Sequence, residues 1–296
     1  MPGKKHVFAI PEQMSLSWRK TTNHYKYKTY YVIMEKEKES TTSYKGLSPH
    51  EYHLLALMEK SGMVVFGVRE AVQVSNWDER RIYNTLFSLE KKGFITRIKK
   101  NAYVKTTYVN EHLFTIATEV VKPSYISFWS ALSFYGFTEQ QVNTVQVVSP
   151  KQVKDLDIDS FRVETTTFQP YRFYGYTRGN GFAIAEPEKA LVDSLAYPEK
   201  CGGWSECAKC LKNAWGHIDK RRFTEYLIQF NNKSVVSRAG FLIEHMGLEH
   251  PRHLKQLQPH TSKSFVALNP KKKRRGTYNK KWKVIVNQNI RMEGPR

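Results

Sequence analysis

The sequence predicts an α+β protein, an N-terminal winged helix-turn-helix followed by a mixed α/β C-terminal domain. Three observations lead there. Three short segments with helical apolar spacing precede one alternating hairpin between residues 48 and 106. Beyond them, β-branched and aromatic runs come first and amphipathic helices later, the pattern of an α+β domain. The 296 residues suffice for two cores at about 100 to 200 residues each.

The first segment opens on Ser48-Pro49, a cap and a first-turn proline. It carries Tyr52, Leu54, Leu55, Leu57 and Met58, and stops at Ser61-Gly62. A second runs from Val68 to Val74 and a third from Asp78 to Lys92, closed by Gly93. Phe94 to Val104 then alternates around the polar tip Lys99-Lys100-Asn101, as a two-stranded hairpin does. In the third helix Ile82, Leu86 and Leu89, with Thr85 beside them, fall at core spacing, and Arg80, Arg81, Asn84, Ser88 and Lys91 are left outward. Arginine and asparagine suit guanine and adenine edges in the major groove, and wing cations suit phosphates. Those five residues with Arg97, Lys99, Lys100 and Asn101 form the candidate DNA-binding set. The plainer alternative is a winged helix used for protein contacts, its charges a solvated face.

Residues 1–47 mix Lys, Thr, Ser and Tyr without periodicity and read as a flexible basic extension, with Glu35 to Ser43 a polar linker. Tyr30 to Ile33 is its one strand-like run, and Met34 is an alternative start. After the hairpin, 107–296 form the second domain. Glu111 to Val120 and Pro123 to Gly136 read as helices, followed by strands at Asn143–Ser149, Phe161–Phe168, Tyr171–Tyr176 and Gly181–Ala185. Helices follow at Pro187–Ala196, Trp204–Ala214, Asp219–Phe230 and Ser234–Met246. Two last strands, Phe265–Leu268 and Trp282–Val286, enclose a loop with Lys271, Lys272, Lys273, Arg274 and Arg275.

The net charge is +20, and residues 211–296, with 19 basic against 5 acidic side chains, account for +14 of it. With Lys280 and Lys281 the basic loop makes a second candidate surface for a polyanion, nucleic acid first. Aromatics nearby, among them Tyr226, Phe241, Tyr278 and Trp282, have core spacing. No apolar run approaches the roughly 18 to 20 residues of a membrane span, and Met1 to His6 does not resemble a secretory signal. A cytoplasmic protein without membrane contact is expected.

Cys201, Cys207, Cys210 and His217 have the spacing C-x5-C-x2-C-x6-H. That could supply zinc ligands, but a single CxxC beside Trp204 and Trp215 fits reduced structural thiols better. The histidines His245, His250, His253 and His260 extend the basic face. Glu186, Glu188, Lys189 and Asp193, with Asp155, Asp157 and Asp159, invite a nuclease reading, yet alternate-residue strand spacing is missing. On a helix, Glu186 is a cap or first-turn acid and Lys189 pairs with Asp193 at i,i+4. No hydrolase, metalloprotease or P-loop signature is present. The expectation is no enzyme, no cofactor and no metal.

The order of Pro123-Ser-Tyr-Ile-Ser-Phe-Trp-Ser-Ala-Leu-Ser-Phe-Tyr-Gly136, Ile184-Ala-Glu-Pro-Glu-Lys-Ala-Leu-Val-Asp193, Ser237-Arg-Ala-Gly-Phe-Leu-Ile-Glu244 and Trp282-Lys-Val-Ile-Val-Asn287 behind a winged helix resembles the AbiEi family of antitoxins and transcriptional regulators. The resemblance covers about residues 48–290, and its most distinctive piece is Glu-Pro-Glu-Lys-Ala-Leu-x-Asp. It implies a toxin-antitoxin (phage-defence) system with a nucleotidyltransferase toxin, and autorepression through binding of inverted repeats in promoter DNA. A single winged helix covers little DNA, so double-stranded DNA with repeated half-sites, bound by a dimer or cooperatively, is the expected partner. Two alternatives remain open: a nuclease-like defence enzyme with a DNA-targeting head, and a C-terminal domain that binds RNA or an acidic protein.

Overall fold

Ser48 begins the first helix as a full capping box: its side chain accepts from the Glu51 N–H, and the Glu51 carboxylate accepts from the Ser48 N–H at 2.6 Å. The computed structural model describes residues 46–140, 143–158, 161–248 and 251–290. The expectations for residues 1–45, Asp159 and His250 lie outside the described residues, which fall in one compact unit.

Helix α1 (Pro49–Lys60) is followed by strand β1 (Val65–Phe66), α2 (Val68–Ser75) and α3 (Glu79–Lys91). Strands β2 (Ile95–Lys99) and β3 (Ala102–Lys105) form the hairpin, and β1 pairs antiparallel with β3 to give the order β1-β3-β2. The two-residue β1 has no period long enough to read in sequence. Leu54, Leu55, Met58, Phe66, Ala71, Ile82, Leu86, Leu89 and Ile95 make one buried cluster that joins the helices to the sheet. Asp78 caps α3 through the Arg81 N–H at 2.9 Å. Gly67 lets α2 start against the hairpin tip, because a Cβ there would sit 2.4 Å from the Asn101 carbonyl oxygen.

The rest is built on a six-stranded mixed sheet in the order β6-β7-β5-β4-β9-β8. Its strands are β4 (Tyr125–Ile126), β5 (Thr144–Ser149), β6 (Leu156–Ile158), β7 (Phe161–Thr167), β8 (Tyr176–Gly179) and β9 (Phe182–Ala185). The pairs β5·β7 and β4·β9 are parallel, the others antiparallel. Helix α4 (Leu113–Val120) precedes the sheet and α5 (Phe128–Phe134) sits between β4 and β5. Then come α6 (Pro187–Ala196), α7 (Trp204–Ala214), α8 (Lys220–Gln229), α9 (Lys233–His245) and α10 (Pro251–Leu257). Strands β10 (Val266–Ala267), β11 (Thr277–Asn279) and β12 (Val284–Val286) close the described chain as a small sheet in the order β10-β12-β11.

Two expected elements are corrected. Pro123 to Gly136 is not one helix: Tyr125-Ile126 pairs with β5 and β9 in the middle of the sheet, and the helix starts only at Phe128. Burial of an apolar pair between two strands outweighs the proline-serine start signal. Tyr171–Tyr176 is not a strand, because Pro170 opens a 3-10 turn over Pro170–Arg172 and the strand begins at Tyr176.

Candidate nucleic-acid interface

Helix α3 divides its polar residues between two flanks. Arg81, Thr85, Ser88 and Lys92, spaced four, three and four, run along the side facing α1. There the Ser88 hydroxyl donates to Glu51 at 2.5 Å and Lys92 Nζ donates to the same carboxylate at 2.7 Å. Arg81 lies with its guanidinium 3.9 Å from the Trp77 ring centre and donates to His50 Nδ1 at 2.7 Å. A cleft lined by Ser48, His50, Asp78, Arg80, Arg81 and Asn84 joins this flank to the outer row of the helix. The outward placement expected of Ser88 is therefore corrected, and Arg81 is held sideways on Trp77. Spacing carries the signal: Arg81 lies four residues before Thr85 and Ser88 three after it, on the flank where Thr85 is buried.

The other row is Arg80, Tyr83, Asn84, Phe87 and Lys91, and all five are exposed. Three of them, Arg80, Asn84 and Lys91, were expected; Tyr83 and Phe87 were missed, because aromatic residues in a helix read first as core. On the hairpin, Arg97, Lys100 and Asn101 are exposed, with Asn101 in the left-handed conformation that the two-residue tip requires. Lys99 Nζ instead donates to the Val120 carbonyl at the end of α4, 2.9 Å away. Lys99 is exposed as well, and this bond ties the hairpin to the end of α4.

Glu51 is the hinge of this arrangement. Burial raises its pKa, but Lys92, Ser88 and Ser48 together outweigh that and hold it at about 2. A folded pKa below the ordinary 4.5 means stability that is present above that value and lost as pH falls from 4.5 towards 2. The difference in urea midpoint between pH 7 and pH 3 is therefore expected to be smaller for Glu51→Gln than for the wild type. An equal drop in both proteins would assign the acid sensitivity to other carboxylates.

At the far end, the basic loop between β10 and β11 is a held structure. Asn287 donates from Nδ2 to the carbonyls of Asn269 at 2.8 Å and Lys273 at 3.0 Å, while its Oδ1 accepts from the Asn269 N–H at 2.9 Å. Lys271, Lys272, Lys273, Arg274, Arg275 and Lys280 are exposed. Arg274 also donates to the Phe265 carbonyl at 2.6 Å, and Lys281 is paired with Glu244 at 2.6 Å. Under this loop Trp282 is fully buried against Gly240, where an added Cβ would lie 2.2 Å from the ring. The indole N–H donates to Glu244. Gly240 and Glu244 of α9 thus seat the start of the segment that ends in Asn287.

The acidic candidates do not converge. The Lys189 ammonium and the Asp193 carboxylate pair, both fully buried. Tyr125 and Ser127 also hold Asp193, at 3.2 and 2.7 Å. Phe128, the next residue, adopts φ 51°, a strained conformation for a bulky side chain at the turn that presents Ser127. Burial pushes the Lys189 pKa down and the Asp193 pKa up, each opposed by the charge of the other. Glu188 accepts from the Asp219 N–H at 2.8 Å and Glu186 from the Tyr226 hydroxyl at 2.6 Å. Asp155 binds the Thr165 N–H and Arg162, on the far edge of the sheet. Cys201, Cys207 and Cys210 are free thiols in the interior, whereas His217 is exposed with its ring stacked on Phe137. Among the described residues no group of three or more His, Cys, Asp or Glu is placed to hold a metal ion. Nor is any helix among them long and apolar enough to cross a membrane.

These features define a mixed α+β protein with several sheets and two separate exposed cationic surfaces. Residues 125–245 match the family model described as the AbiEi antitoxin C-terminal domain, the family that the sequence motifs resemble. No curated protein matches the chain. Among solved structures it is similar to the crystal structure of the RV2827C protein from Mycobacterium tuberculosis. The TM-score is 0.58 at 13% identity, over 81% of this chain and 92% of that one. The shared fold therefore extends beyond residues 125–245.

Proposed function

We propose that the protein is a non-enzymatic, sequence-specific DNA-binding regulator, the autorepressing antitoxin of a cytoplasmic toxin-antitoxin system that opposes a nucleotidyltransferase toxin. In this reading residues 48–106 are a winged helix-turn-helix, α3 is its reading helix and the β2–β3 hairpin its wing. The observation that carries it is the exposed row on α3, which gathers Arg80, Asn84 and Lys91 on one face while the opposite face is core. An arginine and an asparagine one turn apart match the bidentate demands of guanine and adenine edges, and a terminal lysine suits a phosphate. The AbiEi match over residues 125–245 supports the antitoxin part. Two copies on an operator with repeated half-sites are expected, since one reading helix spans too few base pairs for genomic specificity.

Binding of the full chain to a duplex selected from a randomised pool tests the reading. Arg80→Ala and Asn84→Ala should each weaken that duplex by about 1–3 kcal/mol while leaving random DNA nearly unaffected. Lys100→Ala should weaken both and lower the salt dependence. Equal losses on selected and random duplexes from Arg80→Ala and Asn84→Ala would remove α3 as the reading element.

A further inference from the structure

Phe87 is 69% exposed, more than any other large apolar or aromatic side chain among the exposed ones described, and it stands near the middle of the α3 row. Single apolar side chains on a surface are ordinary. This one differs in its company. Tyr83, 46% exposed, precedes it by four residues, Asn84 by three, and Lys91 follows by four, so all share one helical face. An apolar ring inside a row of hydrogen-bonding and cationic groups is what a major-groove surface needs to read thymine, whose distinguishing mark there is a C5-methyl group.

Resting on the reading of α3 as a DNA-contacting helix, we propose that Phe87 is a specificity-determining residue that packs on a thymine C5-methyl group beside an adenine taken by Asn84. Three residues along a helix advance about 4.5 Å, close to one base-pair step of about 3.4 Å. One side chain therefore addresses adenine and the other a thymine in the same or the adjacent pair. Tyr83 flanks the contact and excludes water from it. A second copy of the chain is a poorer occupant. Two partly exposed rings of about 150–250 Å² each fall short of the roughly 800 Å² per partner that a stable interface buries.

The test uses the full chain on its selected duplex, with thymines replaced one at a time by deoxyuridine, which removes only the methyl group. At one position per half-site the wild type should lose about fourfold in affinity, the worth of one buried methyl-sized group. Phe87→Ala should show a loss of that size on the thymine duplex and no further loss on the deoxyuridine one. Its melting temperature and salt slope should match the wild type, and Phe87→Gln, which also removes the apolar contact, serves if the alanine variant does not fold. If no deoxyuridine matters, or if Phe87→Ala remains as sensitive as the wild type, the methyl contact is excluded while Arg80 and Asn84 still report a reading helix. A Phe87→Ala variant that changes sedimentation instead would move the ring to an interface between copies. Failure of the wild type to bind DNA at all would overturn both this contact and the reading it rests on.

Discussion

Lys189→Met is expected to cost about 3–5 kcal/mol, because it leaves a carboxylate unpaired in the interior. Both members of the Lys189–Asp193 pair are fully buried. The ammonium lies 4.8 to 5.5 Å from the ring centres of Tyr174, Phe168, Tyr125 and Phe230, so no water replaces it. A domain holds a total of about 5–15 kcal/mol, so the variant stands near the threshold of folding. Asp193 would then carry a strongly raised pKa, and stability should fall further as pH rises from the ordinary carboxylate range towards that value. The double variant Lys189→Met/Asp193→Leu removes both charges and should recover much of the loss. Urea denaturation of the three proteins at pH 5 and pH 8 measures all of this. A single variant as stable as the wild type would mean that the pair is already neutral in the folded protein.

Replacing Lys271, Lys272, Lys273, Arg274 and Arg275 together by glutamine is expected to lower the slope of log K against log salt by about 3 to 4. Five phosphate contacts would give somewhat more, but Arg274 already donates to the Phe265 carbonyl and is not fully available. Stability should move by no more than about 0.5 kcal/mol, since the side chains are exposed and the loop is held through the backbone by Asn287. Asn287→Ala is the complementary change: it keeps every cation and releases the loop. An unchanged salt slope in the five-residue variant, with loss of toxin neutralisation, would assign this surface to the antitoxin role and to a partner other than DNA.

Local chemistry is legible in the sequence wherever one residue type answers a local need. Ser48-Pro49 starts α1, Asp78 starts α3 and Gly93 follows its end, and the apolar spacing of Ile82, Leu86 and Leu89 identifies the buried face. The pairing of Lys189 with Asp193 followed from i,i+4 spacing, and the position of the basic run between strands followed from the alternation on either side of it. The family resemblance, too, is legible, because its motifs are contiguous words in the chain.

Only the tertiary structure decided what those words are for. Tyr125 and Ser127 belong to one motif and Lys189 and Asp193 to another, and 60 or more residues of chain separate partners that share a single buried hydrogen-bond cluster. Gly240 and Trp282 likewise belong to different motifs and meet as a socket and its plug. Burial of a charge or an indole depends on every element packed around it, which no local spacing encodes. The same holds at the surface. Lys99 has the composition of a wing cation, yet the carbonyl end of α4 claims it; Ser88 has the polarity of an outward residue, yet Glu51 on α1 claims it. A polar side chain near a backbone carbonyl or carboxylate takes the partner that folding brings, and that partner is set by the packing of helices far apart in sequence.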